Sequence, residues 1–353
     1  MRHIEIIVPF AFLPASMAST LLRDLHAPAL ATLISRAKMP PRMPEFEPLA
    51  RVLPHGAWLA WQFGLTAAIE SGNSPPIATA AMQMLGITPG TGVWFILNPA
   101  HIHLGLDHAA LSDLRQLSLS NAESRALFDA AKPYFDQAGK TLLYGDAGTW
   151  FVRADNWQTL RTSTPDAACG HNLLPWMPEG EHELEWRQLH NAVQMAWHKH
   201  PVNAAREQRG AETVNALWLW GAASGSLPSL PAIVPYTATY CLSGWMSAFG
   251  PFSPDNQQTC SALELTRNPP EHGLLLLDSL LPPALSNDWQ QWITTFNLLE
   301  NNWFAPLLEA LQEHTIDRLT LHLSNDTSLI TFINDRQTLH KFWIRKSLAR
   351  LQS

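Results

Sequence analysis

The chain has 353 residues, enough for one large domain or for a core carrying an inserted module. Hydrophobic residues make up 46% and charged residues only 15%, which excludes a disordered chain. The formal net charge of −7 gives no electrostatic reason to expect nucleic acid as the partner.

The first element is "IEIIV" (Ile4–Val8), short, β-branched and interrupted by Glu5 and Pro9. It reads as a first buried strand rather than as the apolar stretch of a leader peptide. Val93–Leu97, Ala216–Trp220 and Leu274–Leu277 are similar apolar runs. Runs of this length fit a parallel sheet covered on both faces. "KTLLYGDAGTWFVRAD" (Lys140–Asp155) reads as a hairpin turning at "GDAG", and "HIHLGLDHAAL" (His101–Leu111) partly alternates. "STPDAACGHNLLPWMPEGE" (Ser163–Glu181) reads as a linker back to the main domain. Leu189, Val193, Ala196 and Trp197 mark one face of a helix that stops at Pro201. Trp289, Trp292, Phe296, Leu299 and Trp303 form a second stripe, which Pro306 breaks or restarts. "RLTLHLS" (Arg318–Ser324) alternates strictly, as a late sheet strand does, and "LHKFWIRKSLARLQS" reads as a basic amphipathic C-terminal helix.

Strands alternating with helices argue for an α/β fold. The expected architecture is a mainly parallel sheet sandwiched by helices, with residues 1–91 and 169–353 in the core and 92–168 in a smaller inserted α+β domain. Fifteen Trp point to an aromatic-rich core, or to a face that receives a partner. Cys169, Cys241 and Cys260 are widely spaced with no CxxC, so no zinc ribbon or redox pair is implied. No run of 18 apolar residues occurs, so no membrane span is expected, and the sparse cysteines suit a cytoplasmic location.

The most informative window is "HPVNAAREQRGAETVNALWLWG" (His200–Gly221). Its order and spacing at His200, Pro201, Val202, Asn203, Arg206, Gly210 and Asn215 resemble the archaeal-type cofactor-independent phosphoglycerate mutases of the alkaline phosphatase superfamily. The ending "LWLWG" is closer to a bacterial offshoot, the RpfE-type regulatory proteins. "PPIATAAMQMLGITPGTG" (Pro75–Gly92) resembles the family's nucleophile helix, and Leu274–Leu311 resembles its metal-ligand loop and following helix.

The resemblance implies an alkaline-phosphatase-like core and a two-metal phosphotransferase ancestry. In that chemistry a serine accepts the phosphoryl group, and carboxylates and imidazoles hold two divalent cations. The matching positions here do not carry those groups. Pro9 and its neighbours stand where the first strand would end in Asp. Ile77 and Ala78 stand where Ser-Asp would be, beside Thr79. Leu281 replaces an Asp ligand and Leu285 a His, leaving Asp288, and the late Asp-His pair falls near Ser324–Asn325. Hydrocarbon cannot coordinate a hard cation. The expectation is therefore a catalytically degenerate protein with a binding or regulatory role, with no catalytic residue, no metal and no cofactor.

His200, Asn203, Arg206 and Asn215 remain polar. They line a retained pocket for a phosphorylated or carboxylate ligand, or they cap a helix and fix a structural junction. His101, His103, Asp107 and His108 are close enough in sequence for a metal site, although ordinary exposed strand residues look the same. "GAASGSLP" (Gly221–Pro228) follows a strand and is rich in small residues, which suits an anion cradle or a tight backbone passage. Two rival readings stay open. One is an active mutase or phosphohydrolase using Mn or Zn; the other is a Trp-rich module that docks an unidentified protein.

Overall fold

The computed structural model describes residues 1–14, 16–105, 109–225 and 235–352, with the backbone alone of Phe252. Its strands are β1 (His3–Val8), β2 (Val93–Ala100), β3 (Ile102–Leu104), β4 (Ala109–Leu111), β5 (Thr141–Tyr144), β6 (Trp150–Arg153), β7 (Ala216–Ser224), β8 (Ala238–Tyr240), β9 (Asp255–Gln257), β10 (His272–Leu276), β11 (Arg318–Ser324) and β12 (Leu329–Asp335). Helices alternate with them, giving a mixed α/β chain. The chain divides into two compact units.

The first unit comprises Met1–Pro48, Leu53–Phe63 and Ala232–Ser353. Its six-stranded sheet runs β12-β11-β1-β10-β8-β9. β1 is parallel to both β10 and β11, and β8 is parallel to β10 and β9; the β11–β12 pair is antiparallel. The mainly parallel sheet expected from the continuous apolar runs is therefore present here. Period-2 alternation gives β1 two different faces. Ile4, Ile6 and Val8 join Leu275, Leu319, Leu321, Leu323 and Phe332 in a hydrocarbon core. Helices Pro28–Arg36, Trp289–Leu299 and Ala305–Gln312 supply that core's other side through Leu30, Leu33, Trp292, Phe296 and Leu307. The opposite face carries His3, Glu5, His272, Thr320 and His322, and Trp58 of helix Pro54–Gln62 packs on His322 at 4.0 Å between ring centroids.

The Trp289–Trp303 stripe does continue past Leu299. It passes through a π-helical turn, Glu300–Phe304, and restarts as helix Ala305–Gln312 with Pro306 in its first turn, where a missing N–H costs nothing. The widened turn delivers Glu300 to the N-terminus of helix Pro28–Arg36. Its carboxylate accepts the Ala29 N–H at 2.6 Å and the Leu30 N–H at 3.1 Å, two of the donors that a helix leaves orphaned.

The second unit comprises Leu49–Val52 and Gly64–Pro231, wider on both sides than the expected 92–168 module. Its four-stranded sheet runs β5-β6-β2-β7, antiparallel throughout, with the small β3–β4 ribbon beside it in sequence. The hairpin expected at "GDAG" is β5–β6. Two expectations are corrected. β2 and β7 are partners of each other and not members of a parallel sheet. Both are buried on both faces, so apolar continuity could not reveal their direction. Ser163–Glu181 is not a linker between domains, because the chain stays in the same unit up to Pro231. The β2–β7 register shifts between Trp94 and Ile96, opposite Gly221, whose φ of +74° suits glycine; a Cβ there would meet Ile96 and Ile77.

The core of this unit is aromatic. Trp150 meets Trp197 edge to face at 5.8 Å and Phe128 at 5.2 Å, and Trp157 meets Trp186 at 5.7 Å. Two indoles keep a partner in the interior: Trp150 donates to Ser124 Oγ at 3.1 Å and Trp197 to the Leu127 carbonyl at 3.0 Å. These tryptophans are core residues.

The C-terminal segment is not the expected amphipathic helix. Only Arg336–Leu339 and the 3-10 turn Ala349–Leu351 are helical. Its cations serve another element: Lys341 Nζ donates to the Arg36 carbonyl at 3.0 Å and Arg350 to the Ile34 carbonyl. They cap the C-terminus of helix Pro28–Arg36, where carbonyls are unpaired and positive charge is favoured. No helix among the described residues is long and apolar enough to cross a membrane.

Helix Pro28–Arg36 thus depends on Glu300 at its start. Glu300→Ala should lower stability by about 1–2 kcal/mol in urea denaturation, and Glu300→Gln by less, because one acceptor is kept.

Candidate functional site

The positions expected to hold phosphotransfer chemistry carry apolar or structurally committed groups. Ile77 and Ala78 are fully buried, as is Thr79 within helix Ala78–Met84, all in the second unit. In the first unit β1 runs out into Pro9, and Leu281, 1% exposed, opens the short helix Leu281–Leu285. Asp288 is occupied as a helix cap, its Oδ1 accepting the Gln291 N–H at 3.0 Å. Asp278, just past β10, accepts a hydrogen bond from Ser243. This donor set does not fit two divalent cations, and no step of a two-metal reaction can be built on it.

The His200 segment is bound to its own unit. His200 Nδ1 accepts the Val202 N–H at 3.3 Å and so caps helix Pro201–Gln208. The Asn203 amide donates to the carbonyls of Trp197 and Val214, both at 2.9 Å, and its oxygen accepts the Val214 N–H at 2.8 Å. Arg206, 1% exposed, donates to the Glu212 carbonyl at 2.6 Å, to the Leu117 carbonyl and to Glu123. Burial disfavours the charged Glu123, but the Ser120 hydrogen bonds, Arg209 and Arg206 outweigh it and hold its carboxyl at about 2. Asn215 pairs with Ile102, its oxygen accepting the N–H at 2.7 Å and its amide donating to the carbonyl at 2.9 Å. Asn203 and Arg206 thus tie helix Pro201–Gln208 to the carbonyls of Trp197, Leu117, Glu212 and Val214 and to the Glu123 side chain of helix Asn121–Gln137, and Asn215 ties the approach to β7 to Ile102 of β3.

A different cluster gathers on the polar face of the first unit's sheet. Register places His3 beside His272, and the two rings stack at 4.7 Å and 9°. Glu5, two residues on and therefore on the same face, centres the group. Its Oε1 lies 3.0 Å from His272 Nε2 and 3.7 Å from His3 Nε2, and its Oε2 lies 3.2 Å from His322 Nε2 and 3.3 Å from the Tyr236 hydroxyl. His3 Nε2 is also 2.9 Å from Thr320 Oγ1, and His322 Nδ1 is 3.0 Å from Thr331 Oγ1. Glu5 and His322 are 14% and 5% exposed.

Electrostatics separate the members. Burial opposes ionisation of Glu5, yet hydrogen bonds from His272 and His322 hold it far below the usual carboxylate range. Burial pushes His3 down to about 4, against the pull of Glu5. The hydrogen bond to Glu5 raises His272. Burial and then the Glu5 charge push Tyr236 up. At neutral pH an ionised carboxylate therefore sits beside a neutral imidazole, a set suited to holding a cation or a proton. Among the described residues this is the single place where three His, Cys, Asp or Glu side chains bring ligand atoms within 4.8 Å of one another, namely His3, Glu5 and His272.

Sequence reading missed this cluster, although signals for it exist. Glu5 interrupts an otherwise apolar strand, and His322 stands with Thr320 on the polar side of "RLTLHLS". The singled-out His101 instead has Nδ1 2.7 Å from the Thr213 carbonyl, and His103 is exposed on β3. Asp107 and His108 lie outside the described residues, as do Ser226–Pro228 of the small-residue stretch.

The geometry defines an α/β protein with a mainly parallel sheet in one unit and an antiparallel sheet in the other. No known protein family matches the sequence, and no curated protein matches it. Among solved structures the chain is similar to the cofactor-independent phosphoglycerate mutase from Thermoplasma acidophilum DSM 1728, at 14% identity and a TM-score of 0.45, covering 100% of this chain and 95% of that one. It is also similar to the PH0037 protein from Pyrococcus horikoshii, at 13% identity and a TM-score of 0.49, covering 95% and 87%.

Two measurements probe the second unit. Arg206→Ala leaves the carbonyls of Leu117 and Glu212 without donors and Glu123 short of a cation, so stability should fall by about 3–5 kcal/mol in urea denaturation. His190, 6% exposed, is pushed by burial to about 4. Its folded pKa lies below the unfolded value of 6.5, so the unfolded chain binds the extra proton between those limits. Its contribution is constant above pH 6.5 and declines as pH falls toward 4, by on the order of 3 kcal/mol in all. His190→Phe should flatten that part of the stability–pH curve measured at pH 7.5, 6 and 5.

Proposed function

We propose that this chain is a phosphoglycerate-mutase-like protein of the RpfE type that has lost phosphotransfer and acts by binding or regulation. One observation carries the reading. At the carboxyl ends of β1, β10 and β11, where an open α/β sheet places its ligands, the chain offers Pro9, a hydrogen-bonded Asp278 and Ser324. The residues that would hold the nucleophile and two metal ligands are Ile77, Leu281 and Leu285, all hydrocarbon.

In this reading His200, Asn203, Arg206 and Asn215 are a structural junction inherited with the fold. Their polar atoms are spent on main-chain groups, which favours that role over a pocket for a phosphorylated ligand. The binding function then lies elsewhere on the chain.

The test is turnover. The purified chain, supplied with Mn2+ or Zn2+, should neither interconvert 3- and 2-phosphoglycerate nor release 4-nitrophenol from 4-nitrophenyl phosphate above the uncatalysed rate. Metal-dependent turnover that disappears in Asp278→Asn would establish the active-enzyme alternative instead.

A further inference from the structure

We propose that His3, Glu5 and His272 bind one divalent first-row transition ion, with zinc the best fit, at the N-terminal edge of the first unit's six-stranded sheet. The site lies at the opposite ends of the strands from Pro9, Asp278 and Ser324, and it does not depend on the proposed function.

The donor geometry is near to what zinc requires. Zn–N and Zn–O bonds of about 2.0–2.1 Å in a tetrahedron set ligand atoms about 3.3–3.4 Å apart. Glu5 Oε1 stands 3.0 Å from His272 Nε2 and 3.7 Å from His3 Nε2, values that bracket this edge. The parallel register His3↔His272 holds the two imidazoles side by side, and all three ligand atoms lie within 4.8 Å of one another. A small tilt of the stacked rings closes the triangle. Two imidazoles and one carboxylate form a borderline donor set, suited to zinc and its neighbours rather than to magnesium or calcium.

Hydrogen bonding of the surrounding groups points the same way. His272 also bonds the backbone of Pro235, and since proline has no N–H, the ring is the donor. Its Nε2 faces Glu5, so the nitrogen that donates to Pro235 is Nδ1. Nε2 is then the nitrogen that faces the Glu5 carboxylate, at 3.0 Å, and the one a metal ion would take in place of the proton the two share. A divalent cation between them replaces that shared proton and keeps the attraction. A carbonyl accepting the far N–H of a ligand imidazole is the usual device for fixing its tautomer.

Glu5 is oriented in a similar manner. Its second oxygen is held by His322 and the Tyr236 hydroxyl, and His322 is in turn set by Thr331 and by the tilted Trp58 ring packed on it. Oε1 is thereby left facing the two ligand nitrogens. Three protein donors leave a fourth position for water, which Thr320 Oγ1, 2.9 Å from His3 Nε2, is placed to hydrogen-bond. His272 is 31% exposed, against 13% for His3, and supplies the route from solvent.

The experiment uses the full chain, stripped with a chelator and dialysed. Titration calorimetry with Zn2+ should show one equivalent bound per chain, and Co2+ should give the visible absorption of a low-coordinate site. His272→Ala and Glu5→Gln should each weaken binding at least 100-fold and abolish the cobalt spectrum. His322→Ala, which only releases the carboxylate, should weaken it about 10- to 100-fold. His272→Ala changes a partly exposed edge residue and keeps the test valid if Glu5→Gln fails to fold, which circular dichroism reports. Absence of Zn2+ binding by the wild-type chain, or binding unchanged in His272→Ala, overturns the proposal.

Discussion

The first unit is organised by one electrostatic constraint: a carboxylate lies two residues along a strand that is paired on both edges. β1 has β10 on one side and β11 on the other, so Glu5 cannot turn its backbone away to reach water. An ionised group at 14% exposure survives only with partners. Three strands supply them on the same face, as His3, His272 and His322, with Tyr236 adding a hydroxyl. The same alternation gives Ile4, Ile6 and Val8 to the other face, where hydrocarbon packs without polar compromise. One strand thus divides the sheet into a dry side and a polar side, and the polar side is where chemistry can reside.

The second unit meets a comparable constraint with a guanidinium. Arg206 is as buried as the tryptophans around it, and its three nitrogens answer two carbonyls and a carboxylate. Removing such a group costs far more than its pairing contributes, because the partners are left dehydrated and alone. This is why Arg206 and its partners are fixed in place by one another. The motif spans helix Pro201–Gln208 and two neighbouring elements, and those elements need their main-chain groups satisfied.

Element types were largely legible in the sequence, and the pairing of strands was not. "IEIIV", "GLLLL", "LWLW" and "VWFIL" each formed a strand, since a short apolar run bounded by polar or turn residues fits a buried strand. β2 and β7 were nevertheless assigned to the wrong kind of sheet. A strand covered on both faces is apolar throughout whichever way its neighbour runs. The basic C-terminal segment failed for another reason. Its cations found unpaired carbonyls at the end of helix Pro28–Arg36, and that long-range satisfaction prevailed over local helix periodicity.

The sequence alone determined that Pro9, Ile77, Leu281 and Leu285 offer no side-chain ligand atoms in any fold. It also fixed the polar character of His200, Asn203, Arg206 and Asn215, without saying what they hold. Only the tertiary structure decided that those four face mainly main chain, and that His3, His272 and His322 meet around Glu5, which is 317 residues from His322. The reason is physical. Which donors a side chain lacks is a property of the residue, whereas which groups share a gap depends on strand register, and register is set by packing across the whole sheet.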